Sequence, residues 1–206
     1  MKKEVYFIRH GQTEFNVLHI VQGRGVDSSL NDMGRKQAKA FYKAYANISF
    51  DQIITSTLKR TRETVSPFLE TNTAIHSSYE EIDEISWGIY EGRSTNPALH
   101  KSYKQLIADW GKGHYDYRIP EGDSALDMHA RLDRFVQKLR ALEAERVLVC
   151  THGGTLAFLM AMLQEEPISA MVKYRHQNTG LCKFVYDGHQ FHLRIQDDVS
   201  HLSDLI

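Results

Sequence analysis

Short apolar runs alternate with longer amphipathic segments along the chain. Residues 4–8, 51–56 and 146–150 are apolar runs of strand length. Each run is followed by a segment with apolar or small residues at three- and four-residue steps, a spacing typical of helices. Strands that alternate with helices predict an α/β fold, in which a mostly parallel central sheet is flanked by helices.

The same pattern predicts the individual elements. Asn31 is expected to cap a helix over residues 32–48, and Pro67 to bend or divide a helix over residues 58–70. Asp123 or Ser124 is expected to cap a long amphipathic helix that ends near residue 145. The remaining predictions are a strand-like stretch and loop over residues 79–92, a helix and aromatic loop over 97–119, a turn and apolar helix over 151–164, a hairpin over 180–196 that turns at Asp187-Gly188, and a mobile polar tail over 197–206.

Composition limits the class of protein. The length of 206 residues suits a single domain over residues 1–206. Lys and Arg number 25 against 26 Asp and Glu, so there is no basic excess to bind a nucleic-acid backbone. No apolar run is long enough to span a membrane or to serve as a signal peptide, and Cys150 and Cys182 form neither a disulfide framework nor a zinc motif. These features predict a cytoplasmic protein that binds neither nucleic acid nor membrane.

Arginines and histidines follow three predicted strands at the point where each strand ends. The first strand ends in Arg9-His10-Gly11, the second is followed by Arg60, and the third ends in a turn that contains His152. Because the carboxyl ends of parallel strands meet at one edge of a sheet, these side chains are expected to lie close together. Arginine binds phosphate oxygens through paired hydrogen bonds, and a neutral imidazole is a competent nucleophile near pH 7. The pattern indicates a phosphoryl site in which one histidine attacks phosphorus and the other stabilises the oxygens.

A departing alcohol also needs a proton, and carboxylates are concentrated between residues 80 and 91. A carboxyl group that burial or a nearby dianion keeps protonated can act as general acid and then as the base for water. The residue types alone leave open which of these carboxyl groups has that role.

The order of the motifs resembles that of the histidine phosphatase superfamily, in the phosphoglycerate-mutase-like branch with an Arg-His-Gly signature. The motifs are FIRHGQTEFN, SLNDMGRKQA, TSTLKRTRET, DEISWGIYEG, EGDSALDMHARL and VCTHGGT, and they span residues 7–155. The resemblance implies a three-layer sandwich with the site at the carboxyl ends of the strands. It also implies an enzyme that uses no metal ion and no dissociable cofactor.

The resemblance further implies roles for particular residues. His10 is expected to be the nucleophile that becomes phosphohistidine, and Glu84, four residues before Gly88, is expected to be the proton donor. Residues expected to bind the phosphoryl oxygens or to line the phosphate pocket are Arg9, Asn16, Gln22, Arg60, His152 and Gly153.

Three functions remain open: a phosphatase, a cofactor-dependent phosphoglycerate mutase, and a non-catalytic protein that binds phosphorylated ligands. The family's glycolytic mutases carry a lysine after the EG-like turn, an arginine pair after a tryptophan, and an asparagine after the second histidine's glycine. Those positions are Thr95, Gly111-Lys112 and Gly154 in this chain. The differences favour a metal-independent phosphomonoesterase whose partner is a small organic phosphate.

Residues 93–123 are predicted to form a helical and loop insertion that covers the site. Specificity is expected to come from this region and from the loop over residues 174–179, which contains His176. The basic and aromatic residues that give the region its character are Arg93, Lys101, Lys104, Lys112, Tyr115, Tyr117 and Arg118. The C-terminal hairpin could extend the sheet or form the contact of a homodimer.

Overall fold

A computed structural model describes residues 2–71 and 73–205 and contains a six-stranded sheet. The strands are β1 (Lys3–Arg9), β2 (Gln52–Thr55), β3 (Ile75–Ser78), β4 (Arg146–Thr151), β5 (Leu181–Tyr186) and β6 (Phe191–Asp198). Their order across the sheet is β3-β2-β4-β1-β5-β6, with parallel pairing from β3 to β1 and antiparallel pairing from β1 to β6. The predicted α/β fold and the C-terminal hairpin are confirmed.

Helices flank the sheet. They are α1 (Glu14–Val17), α2 (Asp32–Tyr45), α3 (Lys59–Thr71), α4 (Pro97–Gly111), α5 (Ala125–Ala141) and α6 (Gly153–Leu163). Of these, α1, α2, α4 and α5 each begin after a residue whose side chain caps the helix. The predicted cap Asn31 accepts a hydrogen bond from the backbone of Gly34 over 2.8 Å. Ser124, rather than Asp123, caps α5 and accepts from the backbone of Asp127 over 3.1 Å. No helix in the described part of the chain is both long enough and apolar enough to cross a membrane.

The alternation of side chains along β1 divides the core into two layers. Val5 and Phe7 pack in the cluster that includes the buried faces of α5 and α6. Tyr6 and Ile8 point the other way and pack with Phe41 of α2 and with the buried face of α3. The sheet is therefore the middle layer of a three-layer sandwich, as the resemblance implies.

Pro67 does not divide its helix, and α3 continues to Thr71. A proline lacks the N–H that would bond to the carbonyl oxygen four residues earlier, which is that of Glu63. The hydroxyl of Ser66 donates to that oxygen over 3.1 Å instead. The prediction that Pro67 divides a helix over residues 58–70 is therefore wrong.

Three other stretches differ from the sequence prediction. Residues 79–92 form no strand but two short 3-10 helices, Glu80–Ile82 and Gly88–Tyr90, joined by a loop. Strand β3 was not predicted, because it is a four-residue edge strand whose Ile75 is 67% exposed. The tail is ordered as far as it is described, since a 3-10 helix over Ser200–Leu205 buries Leu202. Residue 206, the last of the predicted tail, lies outside the described residues.

The pairing register brings the functional strand ends together. Arg9 of β1 pairs with Thr151 of β4, and Thr55 of β2 pairs with Cys150 of the same strand. The residues that follow, including His10, therefore leave the sheet at one edge. The predicted convergence of the strand ends is the arrangement that the structure shows.

Candidate active site

The imidazole of His10 lies just after β1 and is almost fully buried, with 3% of the residue exposed. Its Nδ1 is 2.7 Å from the backbone oxygen of Gly11, so Nδ1 carries the proton and donates this hydrogen bond. The other nitrogen, Nε2, keeps its lone pair and has no hydrogen-bond partner within residues 2–71 and 73–205. This is the tautomer that a nucleophilic imidazole requires.

Burial and charge keep the two imidazoles of the site neutral. Burial lowers the pKa of His10 well below 6.5, and the positive charges of Arg60 and Arg9 lower it further. Burial, followed by the charge of Arg60, also lowers the pKa of His152 well below 6.5. The ring centroids of His10 and His152 are 5.3 Å apart. At neutral pH the site therefore combines two uncharged imidazoles with two guanidinium groups.

His152 links the end of β4 to the buried guanidinium of Arg60. The Nε of Arg60 donates to Nδ1 of His152 over 3.1 Å. The proton of His152 is therefore on Nε2, which lies 2.8 Å from the hydroxyl oxygen of Ser56 at the end of β2. Both ring nitrogens are hydrogen-bonded within the protein. His152 can therefore donate a hydrogen bond to a phosphoryl oxygen only if Nε2–H gives up its hydrogen bond to Ser56.

Arg60 also holds the loop that precedes α2. It is fully buried, and its Nη1 and Nη2 donate to the backbone oxygens of Val26 over 2.6 Å and Gly23 over 3.4 Å. Carbonyl oxygens satisfy the hydrogen-bonding capacity of a guanidinium without cancelling its charge. The positive charge of Arg60 remains available to an anion.

Arg9 provides the second guanidinium. Its Nη1 donates to the backbone oxygen of His176 over 2.8 Å, while its Nε is buried and has no partner among the described residues. The backbone of Gly153 lies close by, since a Cβ there would be 3.3 Å from Arg9 Nε. A buried donor without a partner costs about 1–3 kcal/mol, and a phosphoryl oxygen would satisfy it.

The carboxylate of Glu84 lies against the N-terminus of α6. The backbone N–H of Gly154 donates to Oε2 over 3.1 Å, and that of Thr155 donates to Oε1 over 2.9 Å. The approach requires glycine at position 154, because a Cβ there would lie 2.7 Å from Oε1. The backbone of Ile85 and the hydroxyl of Thr155 also contact Oε1, so Oε2 is the less occupied oxygen.

The loop that carries Glu84 is held from two sides. Arg131, buried on α5, donates to the backbone oxygens of Glu80, Asp83 and Glu84 over 3.0, 2.8 and 3.3 Å. The carboxylate of Asp83 accepts from the backbone and hydroxyl of Thr57 over 2.8 and 2.9 Å. The sequence motif that contains Arg131 was recognised, but its role in positioning Glu84 was missed because the contact joins residues about 50 positions apart in sequence.

Asn16 and Gln22 meet at the buried hydroxyl of Thr13. Asn16 Oδ1 accepts from the backbone of Thr13 over 3.0 Å, and Gln22 Nε2 donates to its hydroxyl over 2.9 Å. Asn178 donates to the backbone oxygen of His10 over 2.9 Å and lies 3.5 Å from Asn16 Oδ1. The structure thus brings the predicted pair near His10 and adds Asn178, which the sequence did not single out.

A cavity of about 580 Å³ extends from Arg9 and Glu84 to the surface. Arg9, Glu84 and Gly153 line it on one side, and α4 and the loop before β5, with His176, line it on the other. Of the basic and aromatic residues expected to give residues 93–123 their character, Lys104 alone lines this cavity. In the described residues no group of three or more metal-binding side chains is arranged to hold a metal ion.

The geometry matches a known family. Residues 5–198 match the family described as "Histidine phosphatase superfamily (branch 1)". The chain belongs to this superfamily. The predicted family, the α/β fold and the phosphatase-type enzyme class are confirmed by this match and by the relatives that follow.

The relatives include both phosphatases and mutases by name. A Schizosaccharomyces pombe protein named "Probable phosphatase C1687.21" is 31% identical over 211 residues, covering 97% of this chain and 95% of the relative. A Proteus mirabilis protein named "Probable phosphoglycerate mutase GpmB" is 28% identical over 210 residues, covering 98% and 96%. The solved structure of Bacillus stearothermophilus YhfR is 28% identical and superimposes with a TM-score of 0.84 over 98% of this chain and 100% of that one.

The lowered pKa values of His10 and His152 predict neutral imidazoles at pH 6.5, where an unperturbed histidine is half protonated. The unfolded protein then binds more protons than the folded one. The contribution of these two neutral imidazoles to the free energy of unfolding is therefore fully present above pH 6.5 and is lost as the pH falls below it. The expected slope is up to about 1.4 kcal/mol per pH unit for each histidine.

Ring ¹⁵N chemical shifts of His10 and His152 measure the protonation state, and urea denaturation between about pH 7 and pH 5.5 measures the slope. A His10→Gln variant serves as the control, because it lacks one of the titrations and should show a smaller slope. Ring shifts of a protonated His10 at pH 6.5 would contradict this electrostatic description of the site.

Proposed function

We propose that the protein hydrolyses a small phosphomonoester in two steps, through a phosphohistidine on His10 and without a metal ion. The observation that carries the proposal is the neutral imidazole of His10, whose unbonded Nε2 lies in the field of Arg9 and Arg60. A nucleophile with a free lone pair beside fixed positive charges suits attack on an anionic phosphoryl group.

In the first step Nε2 of His10 attacks phosphorus in line with the leaving oxygen. The N–P bond forms, the P–O bond breaks, and Arg9 and Arg60 offset the charge on the phosphoryl oxygens. Glu84 gives its proton to the departing alkoxide.

In the second step water attacks the phosphohistidine. Glu84, now ionised, accepts the proton of the water, and the N–P bond breaks to release phosphate and neutral His10. His152, Asn16, Gln22 and Gly153 are proposed to complete the phosphoryl pocket. Their support is their position next to His10, Arg60 or Arg9.

Hydrolysis is favoured over the mutase reaction by access of water and by the placement of cations. The cavity is open at its edge, where Lys104, Val172 and Arg175 are exposed. Lys112, at a position where the mutases carry an arginine, is paired with Asp109 at 3.9 Å and does not line the cavity.

Residues 93–123 are proposed to act as a cap that selects the substrate. Helix α4 supports this role, since His100, Tyr103, Lys104 and Ile107 line the cavity opposite the catalytic groups. We further propose a cytoplasmic location, which suits the two free, buried cysteines. The homodimer through the C-terminal hairpin stays a prediction.

Replacement of the nucleophile tests the proposed function. His10→Ala is expected to reduce phosphate release from nitrophenyl phosphate by roughly 10⁴-fold or more, because the variant lacks the imidazole that is proposed to form the intermediate. The measurement uses EDTA throughout, with circular dichroism to confirm that the fold is kept. His129→Ala, an exposed histidine on α5, is the matched control and should retain full activity. Retained turnover in His10→Ala would overturn the assignment.

Replacement of the general acid tests the role of Glu84. Glu84→Gln should slow release from an alkyl phosphate by about 10²–10⁴-fold and from nitrophenyl phosphate far less, because nitrophenolate leaves without a proton. Initial rates on the two substrates give the ratio, and Glu80→Gln, an exposed neighbour, is the control. An equal loss on both substrates would show that Glu84 does not protonate the leaving group.

A further inference from the structure

The leaving group of a substrate has to occupy the cavity beside the catalytic groups. A general acid acts within hydrogen-bond distance of the leaving oxygen, about 2.6–3.2 Å. Glu84 lines this cavity, so a phosphomonoester held for protonation by Glu84 extends its leaving group into the same space. The other groups on the walls of the cavity are therefore the ones that contact the leaving group.

Besides Arg9, two exposed cations without a carboxylate partner line this cavity. Lys104 of α4 and Arg175 of the loop before β5 are exposed, and neither forms an ion pair with any residue that the structure describes. By contrast, the nearby Lys173 pairs with Glu166 at 3.1 Å. Glu84 is the one carboxylate among the described residues of the cavity wall, so the wall carries an excess of positive charge.

A buried donor lines the same cavity. His176 is 7% exposed, its Nδ1 lies 3.7 Å from Sγ of Cys182, and its Nε2 is buried without a partner among the described residues. Burial raises the pKa of the Cys182 thiol to about 11, so its S–H can donate to Nδ1 and leave the imidazole proton on Nε2. Buried polar groups rarely lack a partner, so this N–H is available to an acceptor that a ligand supplies.

We propose that the enzyme prefers phosphomonoesters whose leaving group carries its own negative charge, held by Lys104, Arg175 and His176. The anion is a carboxylate or a second phosphate, since both present oxygens to cationic and N–H donors. The inference rests on the proposed function, because Glu84 as general acid places the leaving group in this cavity. The edge-to-face pair of Trp87 and Tyr103, with centroids 5.4 Å apart, forms part of the same wall.

Two pairs of matched substrates test the preference. 3-Phosphoglycerate and glycerol 3-phosphate differ by a carboxylate in place of a hydroxymethyl group. Propane-1,3-diol bisphosphate and 3-hydroxypropyl phosphate differ by a second phosphate. We expect kcat/KM to be at least about tenfold higher for the charged member of one pair or both, and the pair that responds identifies the anion.

The cationic side chains are tested by Lys104→Met combined with Arg175→Gln. The double variant should lose the preference for the charged substrate, by about tenfold in kcat/KM, and keep its rate on the neutral one. The preference of the wild-type enzyme should also shrink between about 50 mM and about 300 mM salt, because exposed charges are screened. Lys101→Met is the matched control, since Lys101 lies on the same helix but does not line the cavity.

Binding separates this inference from the proposed function. In a His10→Ala background, where turnover is absent, calorimetry should show tighter binding of 3-phosphoglycerate or the bisphosphate than of its neutral counterpart. The added Lys104→Met and Arg175→Gln substitutions should abolish the difference. Equal affinity within both pairs, or a preference that survives the substitutions, would overturn the inference and leave the phosphatase proposal intact. Selective binding together with no phosphate release by the wild-type enzyme would instead overturn the proposed function alone.

Discussion

The burial of Arg60 against the imidazole of His152 is the interaction on which the site depends. A guanidinium cannot lose its charge at physiological pH, so its burial fixes a positive charge below the surface. That charge helps to keep both imidazoles neutral, and it selects a tautomer of His152 by donating to Nδ1. The carbonyl oxygens of Gly23 and Val26 accept from Nη2 and Nη1 of Arg60 and tie the loop before α2 to the site. The buried charge of Arg60 thus contributes to the neutral state of His10, to the affinity of the site for anions and to the position of the loop before α2.

A second set of contacts connects Glu84, the proposed general acid, to the rest of the fold. Glu84 lies at the N-terminus of α6, whose first residues follow β4 directly, so the sheet fixes the distance between the acid and His152. Arg131 holds the same loop through its backbone oxygens, and Thr57 holds Asp83. His10, the proposed nucleophile, and Glu84, the proposed acid, are therefore positioned by different elements that meet at the edge of the parallel sheet. The cavity beside Glu84 has an outer wall formed by α4 and the loop before β5.

The parts of this arrangement that were predictable are those governed by local pattern. The buried runs before His10 and His152 define β1 and β4, and parallel pairing then places both histidines at one edge. The long-range contacts of Arg131 and Asn178 depend on how distant segments pack, and no local signal reports them. The buried Nε2 of His176 is a further example, since only the packed structure shows that it has no hydrogen-bond partner among the described residues.

Other differences have local physical causes that a pattern of apolar residues does not contain. Helix α3 continues through Pro67 because the hydroxyl of Ser66 replaces the lost backbone donor. The stretch around Glu84 is strand-like in sequence because Ile82 and Ile85 are apolar, but in the structure these two side chains are buried and anchor a loop on the core. Edge strand β3 is mostly exposed and presents no apolar face to detect.

The most direct measurement is identification of the phosphorylated residue after rapid mixing with substrate and an alkaline quench, which preserves phosphohistidine. Peptide mapping locates the phosphate, and ³¹P NMR distinguishes the two ring nitrogens. Because Nδ1 of His10 donates to the backbone of Gly11, phosphate is predicted on Nε2 of His10. Phosphate on His152, on Nδ1 of His10, or on no residue during turnover would contradict the proposed mechanism.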